Sequence, residues 1–269
     1  MAGIRSFQVS SGFEPDYASL LLSLSGLIQI IISMKKFTFL IPALFIILLS
    51  CRQVPEGHNA LSPQEKSEGW VLLFDGESME QWRSYLADSL YGWIVEDGTM
   101  KALGLGDDLG GDIITREQFE NFQLSLEWKI SPGGNSGIMF MVHEDTAYHA
   151  VYETGPEYQL LDDIGYPDTL EDWQLAGANY AMHLAGNKEL KPVGEWNTAR
   201  ILKDGSHVEH WLNGKLVLEY ELWTGDWKSR VASGKWKDYP GYGTFEKGHI
   251  ALQDHGAAVW FRNIKIRGL

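Results

Sequence analysis

Cysteine is nearly absent from this 269-residue chain: Cys51 stands alone, which excludes a disulfide framework and a cysteine-rich zinc site within one copy. Basic residues are scarce too, 22 Lys and Arg against 36 Asp and Glu, for a net charge of −14. A surface of that sign repels phosphate backbones, so nucleic acid is excluded as a partner. The eight histidines lack the i, i+4 spacing of helical zinc proteases, and no spacing indicates a transition-metal site. A glycine loop followed by lysine, of the kind that cradles phosphate, is missing, as is a nucleophile elbow around serine.

Long apolar runs occur only in the first fifty residues. Met34, Lys35 and Lys36 make a basic start, Phe37 to Leu49 is apolar, and Leu48-Leu49-Ser50-Cys51 follows. This resembles a bacterial lipoprotein signal, cut before a cysteine that is then acylated. It predicts export and anchoring in the bacterial cell envelope, with the membrane contacted through the lipid on Cys51 alone. Leu20 to Ile32 is apolar as well, but one continuous span would carry Lys35 and Lys36, at about 2.5–3.5 kcal/mol each near a bilayer centre. Met34 is therefore expected to be the true start. The organisation read from the chain is an upstream extension at 1–33, a signal at 34–51, a polar tether at 52–68 and one folded domain at 69–269. Loss of everything through Cys51 removes three basic and two acidic residues, leaving an acidic domain with 19 against 34.

From Gly69 onward short alternating apolar runs are broken by glycine, asparagine and aspartate, an all-β pattern. Strands are expected at Trp70 to Phe74, Gly92 to Glu96, Thr99 to Ala102, Gly111 to Thr115, Phe122 to Ile130, Gly137 to Val142, Tyr158 to Leu161, Tyr180 to Leu184, Trp196 to Lys203, His249 to Gln253 and Val259 to Ile266. Asn213-Gly214 marks a tight hairpin between His207 to Leu212 and Lys215 to Glu221. One short helix is expected over Asp226 to Lys235, and loops at Leu103 to Gly110 and Asp163 to Ala178. So many strands in about two hundred residues imply a single-domain jelly-roll β-sandwich.

Three places carry chemistry. Gln253, Asp254 and His255 meet at a strand-to-turn junction, with Gly256 free to reverse the chain. Asn135 and Ser136 end a glycine-rich turn, offering an amide and a hydroxyl suited to vicinal sugar hydroxyls. In Glu157-Tyr158-Gln159-Leu160-Leu161-Asp162, the two-residue period puts Glu157 and Gln159 on one face, an arrangement costly in a core and natural in a polar cleft. Arg262 lies among apolar neighbours in the last strand, and Trp196, Trp211, Trp223 and Trp260 are candidate stacking platforms.

In order along the chain, LLFDGESMEQW from Leu72, GDIIT from Gly111, NSGIMF from Asn135, EYQLLD from Glu157, GEWNTARI from Gly194, HWLNGK from His210, LQDHG from Leu252 and VWFRNIKI from Val259 together resemble the 3-keto-disaccharide hydrolase family. Pro156, where an aromatic residue is expected, and His143, where arginine is frequent, depart from the pattern. The resemblance implies a concanavalin A-like sandwich acting on glycosides with a ketone at carbon 3. Such a ketone acidifies the hydrogen on carbon 2, so a base can remove it and the enolate can expel the group on carbon 1. On that reading Glu157 or His255 is the base or acid, and Arg262 or a bound divalent cation stabilises the enolate. Asn135, Ser136, Gln159, Gln253 and Asp254 hold the saccharide. The rival readings are a carbohydrate-binding module of the same fold, a two-carboxylate glycosidase built on Glu153 and Glu157, and a structural surface lipoprotein. Oligomeric state is not legible.

Overall fold

The computed structural model describes residues 57–105 and 111–269, which lie in one compact unit spanning Val54–Leu269. The signal segment and Cys51 lie outside the described residues. Two antiparallel sheets pack face to face. The larger contains β1 (Val71–Leu72), β3 (Trp93–Glu96), β4 (Thr99–Ala102), β6 (Phe122–Ile130), β9 (Asn197–Asp204), β10 (His207–Leu212), β11 (Lys215–Glu221) and β13 (Val259–Gly268). Its order is β11-β10-β9-β6-β13-β4-β3, with β1 pairing the far half of β13. The smaller runs β2-β5-β12-β7-β8, built from β2 (Trp82–Ser84), β5 (Ile113–Thr115), β7 (Asn135–Val142), β8 (Glu157–Leu161) and β12 (His249–Leu252). These crossovers make the concanavalin A-like β-sandwich expected.

Alternation explains the layering. On β6, Phe122, Leu124, Leu126, Trp128 and Ile130 are buried while Ser125, Glu127 and Lys129 face outward. From the small sheet Ile138, Phe140, Tyr158, Leu160, Ile250 and Leu252 join them in the main core. The small sheet is buried on its other face as well, where Ile114, Met139, Val142, Val151 and Ala251 form a second apolar cluster. The Asn213-Gly214 turn has both residues at positive φ, 50° and 80°, as the hairpin requires.

Three expectations need correction. Tyr180 to Leu184 is not a strand. Instead residues 177–180 pair with the edge of β8, through Gln159 N–H to Ala178 O and Tyr180 N–H to Glu157 O, before the chain turns tightly at Asn179 to His183. The helix expected over Asp226 to Lys235 is α2 (Gly225–Ser233), and Lys235 instead opens a 3-10 turn, Lys235–Asp238. The tether is folded from residue 57 onward. Its α1 helix (Pro63–Ser67) is closed by a capping box between Ser62 and Glu65, Lys265 pairs with Glu65, and Asn59 exchanges hydrogen bonds with Asn263.

Candidate active site

A cavity of about 600 Å³ opens over the outer face of the small sheet, within the range of small-molecule sites. Its floor is a row of outward positions: Asn135 on β7, Glu157 and Gln159 on β8, and Gln253 just past β12. Loops wall it in. Tyr85 and Tyr91 come from the β2–β3 connection, Asp112 precedes β5, His149 and Tyr152 come from the β7–β8 connection, and Tyr180, Lys235 and Tyr239 follow later. Positions that alternation alone would give to solvent are thus enclosed, with Glu157 5% exposed, Gln159 1% and Gln253 8%.

Glu157 is held over Gly137. A Cβ at position 137 would lie 2.8 Å from the Glu157 carboxyl carbon, so only glycine leaves the side chain its place. The carboxyl accepts no hydrogen bond among the described residues. Burial pushes its pKa up to about 8; Lys235 opposes that rise and Asp112 adds to it. The neutral acid therefore dominates at neutral pH, and the anion, once formed, is a stronger base than an exposed carboxylate. Lys235, exposed at the surface but crowded by neighbouring groups, is pushed down by the partial loss of water around it and drawn back by Glu157.

Two amide oxygens on the floor also lack partners. Gln159 donates its Nε2 to the Gln174 carbonyl at 3.1 Å, which fixes the amide and leaves Oε1 buried and unpaired. Asn135 Oδ1 is likewise buried and unpaired. Unmet acceptors in an enclosed space favour a ligand rich in O–H donors. His255 lines the same cavity from an exposed position at its mouth, where Gly256, at φ 86°, reverses the chain.

The structure thus gathers Glu157, His255, Asn135, Gln159 and Gln253 around one space. It leaves three expected residues outside it. Arg262 projects from β13 on the outer face of the large sheet, where it donates to Glu127 at 2.8 Å and lies 4.0 Å over Trp196. The two sheets' outer faces are opposite sides of the sandwich, so this guanidinium is not placed for an enolate. Ser136, the strand neighbour of Asn135, points to the other face and donates to the Gln253 carbonyl at 2.8 Å. Asp254 shapes the turn: its carboxylate accepts from Gly256 N–H and Leu105 N–H, and its own N–H donates to Asp112 Oδ1 at 3.1 Å. Neither oxygen is bonded to His255.

The tryptophan platforms are also displaced. Trp196 and Trp260 lie under Lys129, and Trp211 lies under Arg200, all on the large sheet's outer face, while Trp223 donates to Gly243 O. The aromatic walls of the cavity are tyrosines. Glu153 is not among the lining residues and accepts from His149 N–H. Among the described residues no three carboxylate, imidazole or thiol groups converge as a metal site.

Lys235, Asp112 and the tyrosines escaped sequence reasoning. The interleaved run Lys235-Trp236-Lys237-Asp238-Tyr239 was the available signal, but a lysine after a helix equally suits the helix dipole. Its placement depends on Gly234, where a Cβ would meet the Arg230 carbonyl oxygen at 2.8 Å.

Comparison with known proteins fits this geometry. A 3-keto-disaccharide hydrolase of Bacteroides thetaiotaomicron is 36% identical over 230 residues, covering 76% of this chain and 79% of the relative. A crystallised protein of Parabacteroides distasonis ATCC 8503, named as a candidate glycosyl hydrolase, is 42% identical with a TM-score of 0.75, covering 79% of this chain and 100% of its own. A second such protein of that organism is 30% identical with a TM-score of 0.57, covering 74% and 99%. Residues 69–267 match one family model, and the chain belongs to that family, the 3-keto-alpha-glucoside-1,2-lyase-like domain family.

Proposed function

We propose that this glycosidic-bond-cleaving enzyme acts on glycosides whose sugar carries a ketone at carbon 3, with Glu157 as the base that removes the carbon 2 hydrogen. The observation that carries the reading is a buried carboxyl, without a hydrogen bond among the described residues and raised to about 8, set among unpaired amide acceptors in one cavity. In the reaction the Glu157 carboxylate takes the proton from carbon 2, and the electron pair moves onto the oxygen of carbon 3. The enolate then expels the carbon 1 substituent, leaving an enone. His255, at the mouth, gives a proton to the departing oxygen and takes one from the entering water. Hydroxide adds to carbon 1, and Glu157 returns its proton to carbon 2. Asn135, Gln159 and Gln253 accept from ring hydroxyls and hold the carbon 2 hydrogen toward the base.

Export and acylation at Cys51 would place this cavity in the cell envelope, held off the membrane by its lipid. The test of function uses pairs of glycosides that differ only by oxidation at carbon 3, with and without chelator. Release from the oxidised partner alone is the expected result. Equal release from both would replace this chemistry with a two-carboxylate mechanism, for which Glu157 and Asp112 are the carboxylates lining the cavity among the described residues. Saturable binding without release would make the protein a binding module.

A further inference from the structure

Among the described residues, Lys235 is the only lysine or arginine lining the cavity, and its environment is peculiar. Its ammonium lies 4.4 Å from the ring centre of Tyr180, 4.8 Å from that of Trp236 and 5.8 Å from that of Tyr152. The cage is rigid. Trp236 stacks on Tyr242 at 4.1 Å and donates to the Tyr180 carbonyl, while the Tyr180 hydroxyl accepts from Gln174 Nε2, the same residue that fixes Gln159. Among the described residues Lys235 donates no hydrogen bond and has no carboxylate at ion-pair distance.

Three ring faces stabilise the charge without neutralising it. The rings take no conventional hydrogen bond from the ammonium, and because the side chain is exposed its three N–H donors are met by water, which an arriving oxygen can replace. A permanent carboxylate partner would have satisfied them and cancelled the field. We infer that Lys235 is the electrophile of this site: its ammonium donates to the oxygen on carbon 3 as that oxygen becomes an enolate, in the place that Arg262 cannot reach. The inference rests on the 3-keto reading above. It accounts for the aromatic cage, because a cation kept unpaired gains most from a transition state in which negative charge develops beside it. Among the described residues lining the cavity, Glu157 and Asp112 supply the acidic groups, His149 and His255 the imidazoles, and Tyr152, Tyr180 and Tyr239 phenols.

The experiment follows enolate formation directly, using a 3-keto monosaccharide that has no group to expel, in D2O. Wild type is expected to exchange the carbon 2 hydrogen well above background, and Lys235→Met to lose that exchange by about a hundredfold or more. Binding of the matching sugar without a ketone should change less than about threefold, because only the developing charge needs the ammonium. Methylammonium should restore part of the rate to Lys235→Ala. Exchange by Lys235→Met at the wild-type rate would overturn the role of Lys235 alone, while no exchange by wild type would overturn the enolate reading with it. Equal loss of binding for the ketone-free sugar would reduce Lys235 to a structural part. Trapping by borohydride, in which the amine and ketone condense with loss of water and the iminium is reduced, would replace the ammonium by a covalent role.

Discussion

Replacing Glu157 with glutamine should make the protein more stable while abolishing turnover. The carboxyl is 5% exposed, accepts no hydrogen bond among the described residues and is raised from 4.5 to about 8. A carboxyl raised on folding is favoured in its neutral form. Its contribution is therefore nil below about 4.5, grows unfavourable as pH climbs from there to about 8, and is constant beyond. The interval, 3.5 pH units at about 1.36 kcal/mol each, sets an upper bound of about 5 kcal/mol. Glutamine removes that cost, but it also removes the charge that supports Lys235, so we expect about half, roughly 2–3 kcal/mol at pH 9. For a domain of this size that is about 4–12 °C in midpoint.

Thermal unfolding of both proteins from pH 4 to pH 9 provides the assay. The midpoints should coincide near pH 4, where the wild-type carboxyl is already neutral, and separate through pH 8 with the variant higher. Parallel curves, or a variant less stable at pH 9, would refute the argument that burial of this charge is uncompensated. Turnover of a nitrophenyl substrate, whose departure needs no acid, should show the same group, with kcat/KM rising as pH climbs through about 8 because the base must be ionised.

Gly137→Ala places a methyl where the Glu157 carboxyl lies, so kcat should fall about 10- to 100-fold from a displaced base, with unfolding midpoint and KM nearly unchanged. An unchanged kcat would mean that the carboxyl does not act from that position. His255→Ala should slow release of an alkoxide about a hundredfold or more, yet barely affect a nitrophenolate, which leaves without a proton. Comparable losses for both leaving groups would withdraw the role of His255 as the acid.

Much of the sandwich was legible because its signals are local. Asn213-Gly214 dictates a hairpin wherever it falls between alternating runs, and the period of Phe122 to Ile130 orients β6 without reference to anything else. The parity of β8 likewise put Glu157 and Gln159 together. Parity says which side chains share a face; it does not say which sheet they belong to. Arg262 shows the difference. It alternates correctly on β13, just before a bulge at Asn263, but β13 lies in the large sheet and the cavity lies over the small one. Lys235 was hidden for another reason, since its function depends on three rings brought from Tyr152, Tyr180 and Trp236, a convergence with no period in the sequence.

The location of the cavity follows from a conflict between two physical demands. Outward positions of a sheet normally carry polar residues because water satisfies them, and Asn135, Glu157, Gln159 and Gln253 fit that rule by type. In this protein the loops carrying Tyr85, Tyr152, Tyr180 and Tyr239 close over them and remove much of the water, while the apolar cluster of Met139, Val142 and Val151 occupies the rest of the same face. A row chosen for stability alone would then have become apolar, as Met139 and Ala251 are a few residues away on the same strands. Its retention leaves a carboxyl and two amide oxygens unsatisfied in one cavity, each costing folding energy that a ligand rich in hydroxyl groups would return on binding.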